Sequence, residues 1–176
     1  MIECIPNNDI QKRFLLGKSG INELLAIGLN PSTANESSLD PTSRNIQTIA
    51  NNNNCDGWWL INLYPLRTSN PKKLPKIADK KLIIMNQKFI DQLINDPKYN
   101  IDKVLCCWGN NIEKFFYLEE QARIIKNKID KQLYSIGKTV NGNPYHPAPM
   151  TVNRYLGGIN KVKLIEYSWY LDVKNW

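Results

Sequence analysis

Two proline-stiffened turns carry the residue types that could do chemistry. His146, the single histidine of the chain, lies in His146-Pro147-Ala148-Pro149-Met150, and Asn30 follows an apolar run in Gly28-Leu29-Asn30-Pro31-Ser32. An imidazole can give or take a proton near neutral pH, or donate a hydrogen bond to an oxygen on which charge develops. An amide can hold a water by accepting its hydrogen bond, but it cannot take the water's proton as a carboxylate can. The pair suggests a site where a positioned water and a donor face one substrate. A solvated surface histidine is the plain alternative. Pro147 and Pro149 weigh against it, because a rigid loop holds a side chain in fixed geometry.

The elements that must position these turns are legible as four short apolar runs: Leu24 to Leu29, Trp58 to Leu63, Lys103 to Cys107 and Gln132 to Ile136. Each reads as a buried strand. Helical spacing occupies the intervals. A helix over Thr42 to Asn53 is capped by Asp40 or Thr42, a second covers Ile77 to Ile94, and a third covers Asn110 to Asn127 with a break near Tyr117. Alternation of strand and helix predicts an α/β fold: three layers, α/β/α, around a four-stranded, mainly parallel sheet, with residues 1–176 forming one domain. The first twenty residues and the tail after Thr151 are expected to pack on the outside, the tail docked by Tyr167, Trp169, Tyr170 and Trp176.

In such a sheet, ligands bind beyond the carboxyl ends of the strands. The four ends run into Asn30-Pro31-Ser32, Asn62 with Tyr64-Pro65-Leu66-Arg67, Trp108-Gly109-Asn110, and Gly137 with Tyr145-His146-Pro147. Any one of these is accounted for by the needs of a turn. All four on one sheet edge point to a site.

Composition narrows the classes. The net charge of +7 favours a polyanionic partner, though a lysine-rich solvated surface also accounts for it. Cys4, Cys55, Cys106 and Cys107 form no Cys-x-x-Cys pair, and with one histidine no zinc spacing arises. Cys106 and Cys107 read as buried thiols of a reducing compartment. There is no Gly-rich phosphate loop of the nucleotide-hydrolase kind. Neither a signal pattern nor a membrane-length apolar stretch is present. A cytoplasmic monomer without metal or cofactor, and without membrane contact, is expected.

The strand-end motifs also carry a resemblance. Gly28-Leu29-Asn30-Pro31 resembles the first motif of the mismatch-specific and thymine-DNA glycosylases. His146-Pro147-Ala148-Pro149-Met150 resembles the His-Pro-Ser-Pro-Leu motif of the uracil-DNA glycosylases, and Leu60-Ile61-Asn62-Leu63 their central strand ending in a base-recognising asparagine. Val104 to Asn110 is similar to the strand and turn before their last αβ unit. The chain is more similar still to a bacterial and phage family of unknown function. That family has a Leu-Asn-Pro-Ser-Thr-Ala start, an Asp-Pro-Thr-x-Arg segment, an Asn-Leu strand end, a Trp-Gly turn and a Gly-x-Pro-x-His-Pro end. Here these are Leu29 to Ala34, Asp40 to Arg44, Asn62-Leu63, Trp108-Gly109 and Gly142 to Pro147.

The glycosylase resemblance implies DNA as partner, single- or double-stranded, and cleavage of the N-glycosidic bond of a flipped, damaged or modified base. Asn30 would hold the water and His146 would donate to the departing base. The uracil enzymes have aspartate where Asn30 stands, and Asp40 could supply that missing charge, or serve only as a helix cap. Asn62 would read the base edge, and Tyr64 or Trp108 would stack on it unless they belong to the core. Met150 matches the leucine that wedges into the duplex, or is a core methionine. Ser32, Ser43, Arg44, Arg67 and Arg154 are candidates for backbone phosphates. Two other functions stay open: a hydrolase or transferase of free nucleosides or nucleotides, and a DNA-binding module without catalysis.

Overall fold

A computed structural model describes residues 1–169. The four apolar runs form the parallel centre of the sheet: β3 (Glu23–Gly28), β4 (Gly57–Asn62), β5 (Ile101–Cys106) and β6 (Leu133–Ser135). The sheet is wider than four strands. β1 (Glu3–Ile5) and β2 (Leu15–Lys18) add antiparallel beyond β4, and β7 (Ile165–Glu166) adds antiparallel beyond β6. The result is a seven-stranded mixed sheet in the order β1-β2-β4-β3-β5-β6-β7.

The expectation of a four-stranded sheet with both termini packed outside it is therefore corrected. The backbone groups along the free edges of β4 and β6 need partners, and the terminal segments supply them. Tyr167 and Trp169 are buried, as a docked tail requires. Tyr170 and Trp176 lie outside the described residues.

Period-two alternation divides the central strands between two cores. Leu24, Ala26, Trp58, Leu60, Leu105 and Cys107 face one side with Ile46 and Val152. Leu25, Ile27, Trp59, Ile61, Val104 and Cys106 face the other with Ile90, Leu118 and Ile125. The first face is covered by α1 (Pro41–Asn52) and α4 (Pro149–Tyr155), the second by α2 (Lys80–Asn95) and α3 (Phe116–Lys128). Both sides of the parallel strands are buried, so their sequences read as unbroken apolar runs.

The helix ends follow local chemistry. Asp40 caps α1 by accepting from the Ser43 amide at 2.8 Å, Pro41 opens the first turn, and Asn54 closes it at φ 61°. Asp79 caps α2, accepting from the Lys81 amide at 2.8 Å. The helix thus starts at Lys80, and Ile77 stands exposed before it rather than on its apolar face. The expected break in the third helix falls at Phe115, between a 3-10 turn over Asn110–Lys114 and α3. Among the described residues no helix is long and apolar enough to cross a membrane.

Candidate active site at the carboxyl edge of the sheet

The loops leaving β3 and β4 are zipped together. The Leu63 and Tyr64 amides donate to the Gly28 and Leu29 carbonyls, and the Thr68 amide donates to the Pro31 carbonyl. Asn30 sits inside this zipper. Its Nδ2 donates to the carbonyls of Pro31 at 2.9 Å and Thr68 at 2.8 Å. With the amide nitrogen spent, the side-chain carbonyl is the group Asn30 has left, and a carbonyl can accept from a water.

Asn62 is the last residue of β4 and only 2% exposed. Its backbone carbonyl accepts from Nδ2 of Asn86 on α2 at 2.8 Å. Its own Nδ2 is buried with no partner. A Cβ at Gly28 would lie 2.9 Å from Asn62 Oδ1, so glycine at that register position lets the amide lie across the end of β3. An unpaired buried N–H costs about 1–3 kcal/mol, which makes Asn62 a poor choice for structure alone.

The His146 loop is tied down on three sides. Asn45 Nδ2 of α1 donates to the Pro147 carbonyl at 2.8 Å, the Gly109 amide donates to the Pro144 carbonyl, and the Tyr145 amide donates to the Gly137 carbonyl. Gly109, at φ +70°, lets the loop approach: a Cβ there would stand 3.4 Å from His146 Cβ. Among the described residues the imidazole has no hydrogen-bond partner. Burial pushes its pKa below the usual histidine value, and the negative charge of Asp40 opposes that shift. The ring is therefore neutral near pH 7, with one N–H to donate and one nitrogen to accept.

These side chains meet. Asn30, Asp40, Asn62 and His146 line one cavity of about 340 Å³, with Gly28, Ile46, Leu60 and Cys107 as its less polar wall. That volume is at the small end of ligand pockets. Asp40 is thus both helix cap and cavity wall. A neighbouring cleft of about 720 Å³ shares Asn30 and His146 and continues past Trp108 to Met150 and Tyr155.

The other expected residues separate. Tyr64 is core: it packs on Tyr117 with ring centroids 5.1 Å apart, and its hydroxyl accepts from the Asp79 amide. It lines neither the cavity nor the cleft, so the expected stacking role is corrected. Tyr64 stands two residues past β4. Continued alternation would set it with Trp58 and Leu60, but the chain has left the strand, and the loop carries it with Leu63 into the core beneath α2 and α3. Trp108 packs against Trp169 and Tyr167 and reaches only the cleft.

Arg67 donates to the carbonyls of Ser32 and Ala34, each at 2.9 Å, and of Lys12 at 3.3 Å. Its guanidinium thus ties loops together; it lies outside the cavity that holds Asn30 and His146. Arg44 is exposed, with Nη1 on the Leu39 carbonyl, and lies outside the cavity. Arg154, near the end of α4, lies over the Tyr155 ring at 5.6 Å. Ser32 lines the cavity. Met150, in the first turn of α4, is 74% exposed at the cleft, so the core alternative does not hold for it.

Sequence reasoning missed Arg13. It lines the cavity although it is only 1% exposed. The one signal was a charge placed directly before the apolar Phe14-Leu15-Leu16, which does not distinguish a buried guanidinium from a surface one. Burial and the charge of Arg67 lower its pKa to about 10, with Asp40 opposing, so it stays a cation at neutral pH.

A family described as a protein of unknown function (DUF1643) matches residues 13–148. The chain belongs to this family. The matched span of this DUF1643 member opens on Arg13 and closes two residues after His146, so it contains Asn30, Asp40, Ser43 and Asn62 as well. No curated protein and no solved structure matches the chain.

Proposed function

We propose that this DUF1643 chain is a hydrolase of N-glycosidic bonds that holds a base, flipped from DNA, in the cavity at the carboxyl edge of its sheet. The observation that carries the reading is the convergence of Asn30, Asp40, Asn62 and His146 on one small cavity, with the Asn62 amide unpaired. Hydrolysis breaks the C1′–N bond, sends its electron pair to the base, and adds a water oxygen to C1′. Neutral His146 donates its N–H to the base oxygen as negative charge arrives there. Asn62 meets a pyrimidine edge with its unpaired donor and its carbonyl acceptor. Asn30 holds the water through its side-chain carbonyl. Asp40 supplies the negative charge that steadies the cationic sugar and accepts the water's proton.

The net charge of +7 and the exposed Met150 at the cleft suit a nucleic-acid strand whose vacated stack is filled by an apolar side chain. The test offers single- and double-stranded DNA carrying uracil, thymine mismatches or modified cytosines, followed by alkaline cleavage of abasic sites. Strand cleavage on one substrate that disappears with His146→Ala and Asn62→Ala is expected. No base release from any DNA or nucleotide substrate overturns the reading. Salt-sensitive DNA binding that survives His146→Ala without turnover identifies a binding module instead.

A further inference from the structure

Arg13 poses a problem that the glycosidic reading leaves unused. Its Nη1 donates to the Ala34 carbonyl at 2.8 Å. Its Nε is buried without a partner, and Nη2 has none among the described residues. No carboxylate among them lies within ion-pair distance of the guanidinium. Nε and Nη2 form one edge of the guanidinium plane, and that edge matches two oxygens of a phosphate or carboxylate. A cation buried with this edge empty is expensive unless an anion completes it.

A second orphan lies in the same wall. Ser43 is 1% exposed and its Oγ has no hydrogen-bond partner. It stands in the first turn of the twelve-residue α1, whose amino-terminal residues Pro41, Thr42 and Ser43 all line the cavity. The positive end of a helix favours an anion there. Ser32, Thr33 and Ser69 add further hydroxyls to the lining. Arg67 disfavours the cationic form of Arg13, while Asp40 and, more weakly, Cys4 favour it. Arg13, Arg67 and Asp40 together leave one net positive charge. One oxygen of Asp40 is engaged with the Ser43 amide.

We propose that Arg13 and Ser43, at the amino-terminal end of α1, form an oxyanion subsite within the cavity that takes a phosphate of the substrate nucleotide. A two-pronged guanidinium in a cavity lined by several hydroxyls suits a tetrahedral group with several acceptor oxygens better than a planar carboxylate. That the phosphate belongs to a nucleotide rests on the glycosidic reading; the subsite itself does not. The phosphate can come from a free mononucleotide or from a DNA strand.

The test measures binding by titration calorimetry at constant ionic strength. Each 5′-deoxynucleoside monophosphate is compared with its nucleoside, and single-stranded oligonucleotides are tested alongside inorganic phosphate. The subsite predicts that at least one monophosphate or oligonucleotide binds about tenfold or more tightly than the matching nucleoside. Arg13→Gln and Arg13→Lys should each remove most of that preference, and Ser43→Ala part of it. Ser43→Ala keeps the question open to experiment if both arginine variants fail to fold. A preference confined to mononucleotides identifies a free nucleotide as the source, and one confined to oligonucleotides identifies the strand. Equal binding of nucleoside and phosphate forms overturns the subsite, as does a phosphate preference that these variants leave intact. Arg13-dependent phosphate binding without base release keeps the subsite and overturns the glycosidic reading. Base release that ignores Arg13 and Ser43 does the reverse.

Discussion

Asn62→Ala separates a residue kept for recognition from one kept for the fold. Asn62 is 2% exposed, its Nδ2 has no partner, and its backbone carbonyl, which survives the substitution, holds Asn86. An unpaired buried N–H costs about 1–3 kcal/mol, and truncation to alanine removes that burden. The lost packing works against the gain, but it is small, because the amide already borders a cavity of about 340 Å³. The net expectation is a change between zero and about 2 kcal/mol in favour of the variant. For a domain of this size that is a melting temperature unchanged or raised by up to about 8 °C. Scanning calorimetry or chemical denaturation measures it without knowledge of the substrate. In the base-release assay the same variant should lose about 100-fold or more, since a site built to pair a polar edge strongly penalises loss of that pairing. A stability loss of more than about 1 kcal/mol would mean that the Asn62 amide is satisfied in solution and serves the fold, and the reasoning would be refuted.

Arg67→Ala should destabilise the protein by about 2–4 kcal/mol in urea unfolding, and lysine should not restore it, because the guanidinium satisfies carbonyls of Lys12, Ser32 and Ala34 from one plane. An unchanged unfolding midpoint would return Arg67 to the pool of free surface cations. His146 has a folded pKa below the value of 6.5 it takes when unfolded. The unfolded chain therefore binds more protons than the native one as pH falls below 6.5, and stability contributed by neutral His146 is lost in that direction. Unfolding curves at pH about 7.5 and about 5.5 should differ by less in His146→Gln than in the parent; an equal difference excludes a folded-state pKa below that of the unfolded chain. Met150→Ala should shift stability by no more than about 0.5 kcal/mol, since the side chain is 74% exposed, yet weaken action on duplex DNA more than on single strands. A uniform loss on both substrates contradicts the wedge.

The amino-acid sequence by itself determined the parallel centre of the sheet. Strands buried on both faces must be apolar throughout, so Leu24 to Leu29 and Trp58 to Leu63 are visible without any partner in view. It also narrowed the cap of α1 to Asp40 or Thr42, where cap chemistry is local, and marked Asn30, Asn62 and His146 in the segments that follow the strands. The edge strands escaped it, because β1, β2 and β7 are short and exist only by pairing with distant segments. The choice between stacking and core for Tyr64 and Trp108, and the carbonyl contacts of Arg67, were not legible for a related reason. Side-chain direction just past a strand depends on its register and on which loop crosses it, and those are tertiary properties. Arg13 is the extreme case: composition marks an arginine as surface, and only the closure of the loops around Ala34 and α1 buries it beside Asp40 and Ser43. Residue type and local spacing thus named Asn30, Asp40, Asn62 and His146, while the fold decided their company, because a cavity belongs to no single segment of the chain.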